Sequence, residues 1–368
     1  MTRSHPAGGV VPEVTAFVVG RNEIARLPVF LSHYRMLGVA RFRYIDNGST
    51  DGSAEYLQAQ PDVDWVCQTE TYGPDNLWGS RWQMAEIRKC CPDAWVLALD
   101  LDELLRLPLD VGIGEMADIM DAEGADLMKA NTVDCYPRAT LRGASMADCV
   151  WYDRPYSEAE LKRHRLSRGQ KLGRLRHRVF GMRNAYMAKS PLFRMNETVE
   201  PSGGFHNLAG RLRRSRFVGM IAHCKFTDGF KAYVDDSVTR GVHWNDSQEY
   251  RQYQAGYVDR LWTPDFSEPL CGDLHRQGLL STTSYVAGEG GYVLGDHYHY
   301  GRDGVAKDEA AAFELWREDA ELGIVDGRAR LAWAYRTGNG CAPDLDEAER
   351  WSRRPRGLVD HIVWQPGS

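Results

Sequence analysis

The 368 residues include eight cysteines but no C-x-x-C pair and no Cys/His spacing of the kind that encloses zinc. Cys67, Cys90, Cys91, Cys135, Cys149, Cys224, Cys271 and Cys341 are scattered instead, which is the pattern of buried thiols in a reducing compartment. No stretch approaches the roughly 18 uncharged apolar residues that a membrane-spanning helix needs. Met1 to Pro12 carry no apolar core of a secretory leader, so a cytoplasmic location is expected. Positive charge is lacking as well. Lys and Arg number 45 against 51 Asp and Glu, a formal charge of −6, whereas a protein whose main partner is nucleic acid needs a large cationic surface. An apolar share of 43% with 11% aromatics is ample for real cores, which excludes disorder of the whole chain.

The first 140 residues alternate short apolar runs with helical patterns. Val14–Val19 is a strand suited to burial on both faces and ends at Gly20. Leu27, Phe30, Leu31, Tyr34 and Leu37 recur at helical spacing, with Gly38 placed to cap the helix. Strands are expected at Arg41–Ile45, Val63–Gln68, Trp95–Leu99 and Ala125–Val133, and helices at Gly79–Cys91 and Gly112–Glu123. Strand–helix alternation of this kind implies crossover connections and a mainly parallel sheet. From Trp151 to Arg216 the pattern blurs into mixed α+β.

The chemistry concentrates where the apolar run Trp95–Leu99 gives way to Asp100, Asp102 and Glu103. Ligands of parallel α/β sheets sit beyond the carboxyl ends of the strands. In extended chain Asp100 and Asp102 share a face and Glu103 points away, so two carboxylates side by side call for a cation. Mg²⁺ or Mn²⁺ suits such a place, since these ions take one or two protein carboxylates and complete their shell with water and phosphate oxygens. An acidic cap of the next segment is the plainer account.

Other segments sharpen this into a resemblance. Val18-Val19-Gly20-Arg21-Asn22-Glu23, then Asp46-Asn47-Gly48-Ser49-Thr50-Asp51, then Asp100-Leu101-Asp102-Glu103 follow one another in the order and spacing of an R/K-N-E, D-N-x-S-x-D and D-x-D-E set. That set resembles family 2-like glycosyltransferases, and the likeness continues through Val133–Arg138, Arg176–Gly181, Lys189–Phe193, Gly204–Leu208 and Ala222–Phe226. The resemblance implies a GT-A fold, a Rossmann-like nucleotide-diphospho-sugar transferase architecture, over residues 13–275. It further implies a nucleotide-sugar donor, a hydroxyl acceptor such as a surface glycan or polysaccharide, inversion of configuration, and Mn²⁺ or Mg²⁺.

Carried over by position, Arg21, Asn22, Glu23 and Asp46 would line the nucleotide, Asp100 would approach ribose or metal, and Asp102 would ligate the metal. His223, and after it His206, would complete the metal sphere and tilt the preference to manganese. Transfer to an alcohol needs a base; Asp134 is the expected one and Glu197 the reserve, although neither stands in the E-D pair that this family often shows.

Nine Lys/Arg residues between Lys162 and Arg183, with Arg211, Arg213, Arg214 and Arg216, are either a solvated loop or a cationic rim that steers an anionic substrate. The end of the chain repeats itself: Leu294, Tyr298 and Gly301 recur as Leu331, Tyr335 and Gly338, and Gly304, Asp308 and Ala312 as Gly340, Asp344 and Ala348. With Ala311–Trp316 through Ala320–Gly323, this resembles Sel1-like repeats, relatives of the tetratricopeptide repeat, over residues 285–355. Two such repeats are too few to stand alone and would dock on the preceding domain, offering a surface for a protein partner. Two further readings stay open: a metal-dependent nucleotidyltransferase acting on sugar phosphates, and a non-catalytic Sel1-type interaction protein.

Overall fold

The computed structural model describes residues 11–183, 185–202, 204–241, 244–271, 274–282, 286–287, 291–301, 306–321 and 325–353. Two compact units divide the chain: Met1–Arg154 with Leu175–Met182 and Ala188–Val286, and Pro155–Arg174 with Arg183–Met187 and Ala287–Ser368. The expected boundary near residue 280 is therefore joined by an excursion of the middle of the chain into the second unit. No helix among the described residues is long and apolar enough to cross a membrane.

The first unit opens with β1 (Thr15–Gly20), α1 (Leu27–Met36), β2 (Arg41–Asp46), α2 (Ser53–Gln58), β3 (Val63–Cys67), α3 (Ser80–Cys90) and β4 (Trp95–Leu99), as expected except for the short α2. The apolar stripe of α1 puts Leu27, Phe30, Leu31 and Tyr34 into the core, and Pro28 fits its first turn because it has no N–H to leave unpaired. Gly38, at φ +89°, ends the helix in a conformation that side-chained residues avoid. β5 (Glu103–Arg106), α4 (Ile113–Glu123), β6 (Leu127–Tyr136) and β7 (Trp151–Asp153) follow. After the short helices α5 (Glu158–His164) and α6 (Arg174–Phe180) come β8 (Ala188–Arg194), β9 (Glu200–Ser202), β10 (Asn207–Ala209) and β11 (Arg214–His223). Helices α7 (Phe230–Arg240) and α8 (Trp244–Ala255) and strand β12 (Ser267–Pro269) complete this unit.

The main sheet is mixed. Its order is β12-β7-β6-β8-β4-β1-β2-β3, and β11 pairs with β6 and β5. β3, β2, β1 and β4 are mutually parallel, β8 runs against both β4 and β6, and β11 runs parallel with β6. All six parallel strands therefore end at one edge. The chain order reverses between β1 and β4, the switch point where an open α/β sheet leaves a crevice. β4 and β6 are buried along their whole lengths, which explains their near-continuous apolar reading. β6 also buries Lys129, Asn131, Thr132 and Asp134, and these polar groups are the first structural sign of a site.

The second unit contains α5 and four helices, α9 (Gly291–Tyr300), α10 (Glu309–Glu321), α11 (Val325–Thr337) and α12 (Leu345–Ser352). Phe313, Trp316, Leu331 and Ala334 form its core. The internal repeat is visible in its hydrogen bonds. Asp308 donates its N–H to the Tyr298 carbonyl at 2.9 Å, and Asp344 does the same to Tyr335 at 2.9 Å. Each aspartate then caps the following helix, accepting from Ala311 N–H at 3.0 Å and from Glu347 N–H at 3.0 Å. Gly301 and Gly338 turn the chain at φ +62° and +78°, and Ala312 and Ala348 are buried. The side chain of Leu294 and the residues Gly304, Leu322 and Gly323 lie outside the described set.

One composition-level expectation changes. All eight cysteines are free thiols, but only Cys135, Cys149 and Cys224 are buried, while Cys67, Cys90 and Cys271 are exposed. Sparse cysteines without spacing carry no information about burial one by one.

Candidate functional site

Strand register assembles the site. Pairing of β6 with β11 sets Asp134 against His223, and pairing of β5 with β11 sets Glu103 against His223. Asp102 immediately precedes β5, and its carbonyl accepts the Cys224 N–H at 2.6 Å, which brings its side chain to the imidazole. His223 Nε2 lies 3.4 Å from Asp102 Oδ2. On the other side of the ring, Nδ1–H donates to Asp134 Oδ1 at 2.8 Å. Arg176, from α6, donates to both oxygens of Asp134 at 2.7 and 3.0 Å.

The charges are interlocked. Burial works against ionisation of Asp102, yet His223 holds its carboxyl well below the usual range. Burial likewise opposes charge on Asp134, and Arg176 and His223 overcome it in the same direction. His223, despite burial, is pushed up to about 9 by Asp102 and Asp134. The imidazole itself thus carries the positive charge that pairs with the two carboxylates.

The expected side-by-side placement of Asp100 and Asp102 is not what the chain does. Strand geometry stops at Leu99, and Glu103 N–H closes a turn onto the Asp100 carbonyl at 3.1 Å. Alternation of faces holds only in extended chain, so Asp100 and Glu103 meet each other at Lys189 while Asp102 turns to His223. Lys189 Nζ donates to Asp100 at 2.5 Å and to Glu103 at 2.9 Å. His206 belongs with this second group. Its Nδ1–H donates to the Ala188 carbonyl at 2.8 Å, and burial followed by Lys189 presses it down to about 4. The four expected metal ligands therefore separate into Asp102 with His223, and Asp100 with His206 across Lys189. Among the described residues no group of three or more His, Cys, Asp or Glu side chains is spaced to hold a metal ion.

Asp102 and His223 are the two residues here that could hold an ion, once the imidazole gives up its Nε2 proton. His223 is fixed by a carboxylate behind it, the arrangement that orients a histidine ligand. An ion of the Mg²⁺ or Mn²⁺ kind needs few protein donors when substrate phosphates and water supply the remainder.

The loops beyond β1 and β2 are bonded to one another. Asn22 N–H donates to Ser49 Oγ at 2.8 Å, the Asn22 amide oxygen accepts from Thr50 N–H at 2.8 Å, and Glu23 N–H donates to Ser53 Oγ at 2.9 Å. Asn22 takes φ +58°, a conformation that asparagine tolerates better than most residues. Asp46 is buried and accepts from the Ser49 hydroxyl at 2.5 Å, so it holds the turn rather than presenting a carboxylate to a base or ribose. Arg21 stands exposed at the end of β1. Glu23 pairs with Arg26 at 2.6 Å; burial raises its pKa against the pull of Arg26, and the Asp102 charge adds to the rise.

Glu197 is not part of this assembly. It follows the end of β8, whose Arg194 pairs with Trp95 at the start of β4, so it sits at the opposite edge of the sheet from Asp102. The basic run also differs from a rim. Arg176 and Arg178 are spent on Asp134 and Asp153, and within the second unit Arg174 meets Glu160 at 2.8 Å.

The site also contains Arg26, Arg176, Lys189, Lys225 and Glu249, to which the sequence alone assigns no role. Glu23 and Arg26 share a helical i, i+3 spacing, a faint signal. Arg176 and Lys189 stood inside segments of the resemblance, without a role. Glu249, on α8, accepts from Arg176 at 3.3 Å and from the Tyr253 hydroxyl at 2.7 Å, and it lies 3.8 Å from Lys225. Burial opposes it, but Lys225 and Arg176 lower it to about 2. At the switch point a cavity of about 170 Å³ is lined by Tyr72, Trp78, Gln83, Lys189, Phe205 and His206, together with Val19 of β1 and Leu99 of β4.

Fold and site together define an α/β protein with a charged crevice at the carboxyl edge of a mixed sheet. No protein-family model matches the chain, and no curated protein does. Partial structural likeness reaches HddC from Yersinia pseudotuberculosis, at 14% identity over 36% of this chain and 64% of that one, with a TM-score of 0.24. UDP-glucose pyrophosphorylase complexed with UDP-glucose is similar at 10% identity over 40% of this chain and 64% of that one, with a TM-score of 0.21. The shared portion is below half of this chain in both cases, so neither neighbour's activity is carried across.

Proposed function

We propose that this chain is a divalent-metal-dependent glycosyltransferase of the GT-A type, moving a sugar from a nucleotide-diphospho-sugar to a hydroxyl of a glycan or polysaccharide acceptor. The observation that carries the reading is the pairing of Asp102 Oδ2 with His223 Nε2 at 3.4 Å, at the carboxyl ends of β4 and β11, with Asp134 behind the ring. Asp102 and His223 would hold the ion, which when bound supplies positive charge to a departing nucleoside diphosphate. Asp134 keeps the imidazole oriented, and Arg176 keeps Asp134 anionic. The linked Asn22–Glu23 and Asp46–Ser53 loops give the crevice a rigid wall at the β1 side. Arg21 and Asp100 are exposed charges there that a nucleotide would meet, and the Tyr72/Trp78 cavity offers aromatic surface beside them.

The repeated bonding of Asp308 and Asp344 supports reading α9–α12 as a pair of Sel1-like repeats, whose role is contact with a protein partner.

Incubation with UDP-, GDP-, CMP- and dTDP-sugars and Mn²⁺ tests the reaction class. Slow release of free sugar and nucleoside diphosphate from one donor, lost with chelator and in Asp102→Ala, is the expected outcome. Turnover of a sugar phosphate and a nucleoside triphosphate to pyrophosphate would instead select nucleotidyl transfer.

A further inference from the structure

Sugar transfer with inversion needs an attacking oxygen opposite the leaving phosphate and a group that takes its proton. The carboxylates around Asp102 and His223 differ sharply in availability. Asp134 is 1% exposed at its side chain and has both oxygens bonded to Arg176 and His223. Glu103 is buried against Lys189, Glu23 is tied to Arg26, and Asp153 is buried against Arg178. Among the described side chains that ion pairs link to this cluster, Asp100, 65% exposed, and Glu249, 43% exposed, keep open faces.

Asp100 stands at the end of β4 beside the switch-point crevice, on the side where the nucleotide is proposed to lie. Glu249 stands on the other side, reached from β6 and β11 through Arg176 and Lys225. Arg176 spans the two positions, donating to Asp134 at 3.0 Å from one nitrogen and to Glu249 at 3.3 Å from another. Tyr253, fully buried one helical turn along α8, donates its hydroxyl to Glu249 at 2.7 Å and fixes the carboxylate. Ser247, two residues earlier, adopts φ +55° and donates its hydroxyl to the Ser237 carbonyl at 2.9 Å.

We infer that Glu249 is the general base of the transfer, facing the acceptor hydroxyl across the sugar from the nucleotide. This assignment rests on the glycosyl-transfer reading. In the step, the acceptor oxygen forms a bond to the anomeric carbon as the bond from that carbon to the phosphate oxygen breaks. The electron pair leaves with the nucleoside diphosphate, and the hydroxyl proton passes to Glu249. With water as acceptor, the same step is donor hydrolysis.

The test is hydrolysis of the donor selected from the UDP-, GDP-, CMP- and dTDP-sugar panel, with Mn²⁺, in wild type, Glu249→Gln and Glu249→Asp, each with and without sodium azide. Azide attacks without a proton to lose, so it bypasses a missing base. Glu249→Gln is expected to lose on the order of 10²- to 10⁴-fold in turnover, to keep the Mn²⁺-dependent thermal shift given by UDP or GDP, and to form glycosyl azide when azide is added. Glu249→Asp keeps the charge beside Arg176 and Lys225 and guards against a folding defect; its retreat by one methylene should also depress turnover while the fold is intact. Turnover of Glu249→Gln within about threefold of wild type overturns the assignment, as does a folded variant that loses turnover and is not rescued by azide. If wild type turns over no donor, glycosyl transfer itself fails and the assignment falls with it; if only Glu249→Gln departs from expectation, that reading stands and another base is needed.

Discussion

Asp134 has both oxygens committed, to Arg176 and to His223, and so it is built to position an imidazole rather than to accept a substrate proton. On the proposed reading, the strand-end carboxylate expected to be the base stands one step back from the chemistry. Asp134→Asn should weaken Mn²⁺ binding about 10- to 100-fold, the usual cost of losing a histidine's supporting partner; titration of Mn²⁺ in the presence of UDP or GDP measures it. Removing Arg176 is a different experiment. Arg176→Met leaves Asp134 buried without its cation and should cost about 3–5 kcal/mol of stability in urea unfolding, whereas an exposed pair such as Arg350–Glu347 should contribute under about 1 kcal/mol.

At the scale of elements, the connection between strands decides where side chains go. Gly20 ends β1 against Tyr44 and Leu101, and a methyl group there would collide with the Tyr44 hydroxyl and come within 2.5 Å of a Leu101 methyl. Gly20→Ala should therefore destabilise by about 1–3 kcal/mol, read as a lower urea midpoint. The two aspartate caps of the second unit offer an internal comparison. Asp308→Ala and Asp344→Ala should each cost about 1 kcal/mol in equilibrium unfolding, and strongly unequal losses would argue that the repeats are not equivalent. The same scale explains what the sequence made legible. β1, α1, β2, β4 and α4 are read within a residue or two, because buried strands and amphipathic helices write their periodicity directly. The segment Leu99–Glu103 is misread because nothing local announces the turn that sends Asp100 to Lys189 and Asp102 to His223. That choice is made by β8 and β11, roughly 90 and 120 residues further along the chain. Lys189, Arg176 and Glu249 were hidden for the same reason: their partners are distant in sequence, and a lone basic or acidic residue has no periodicity.

For the whole molecule, pH links the second cluster to stability. His206 is pushed down to about 4 in the folded protein from an ordinary value of 6.5, and His33, buried and bonded to the Leu105 carbonyl at 2.8 Å, shifts in the same direction. Between the two values the unfolded chain binds the extra proton, so their contribution is complete above about 6.5 and is lost as pH falls toward about 4. Urea midpoints should therefore drop from pH 6.5 to pH 5, a window in which the opposite contribution of His223 is already nearly complete, and the drop should shrink in a His33→Gln/His206→Gln protein. The central claim is that Asp102 and His223 share one cation, and electron spin-echo spectroscopy of Mn²⁺ bound with UDP or GDP tests it most directly. A nitrogen coupling that changes on ¹⁵N-histidine labelling and disappears in His223→Gln is the predicted result. A bound Mn²⁺ with no histidine nitrogen in its coordination sphere would contradict it.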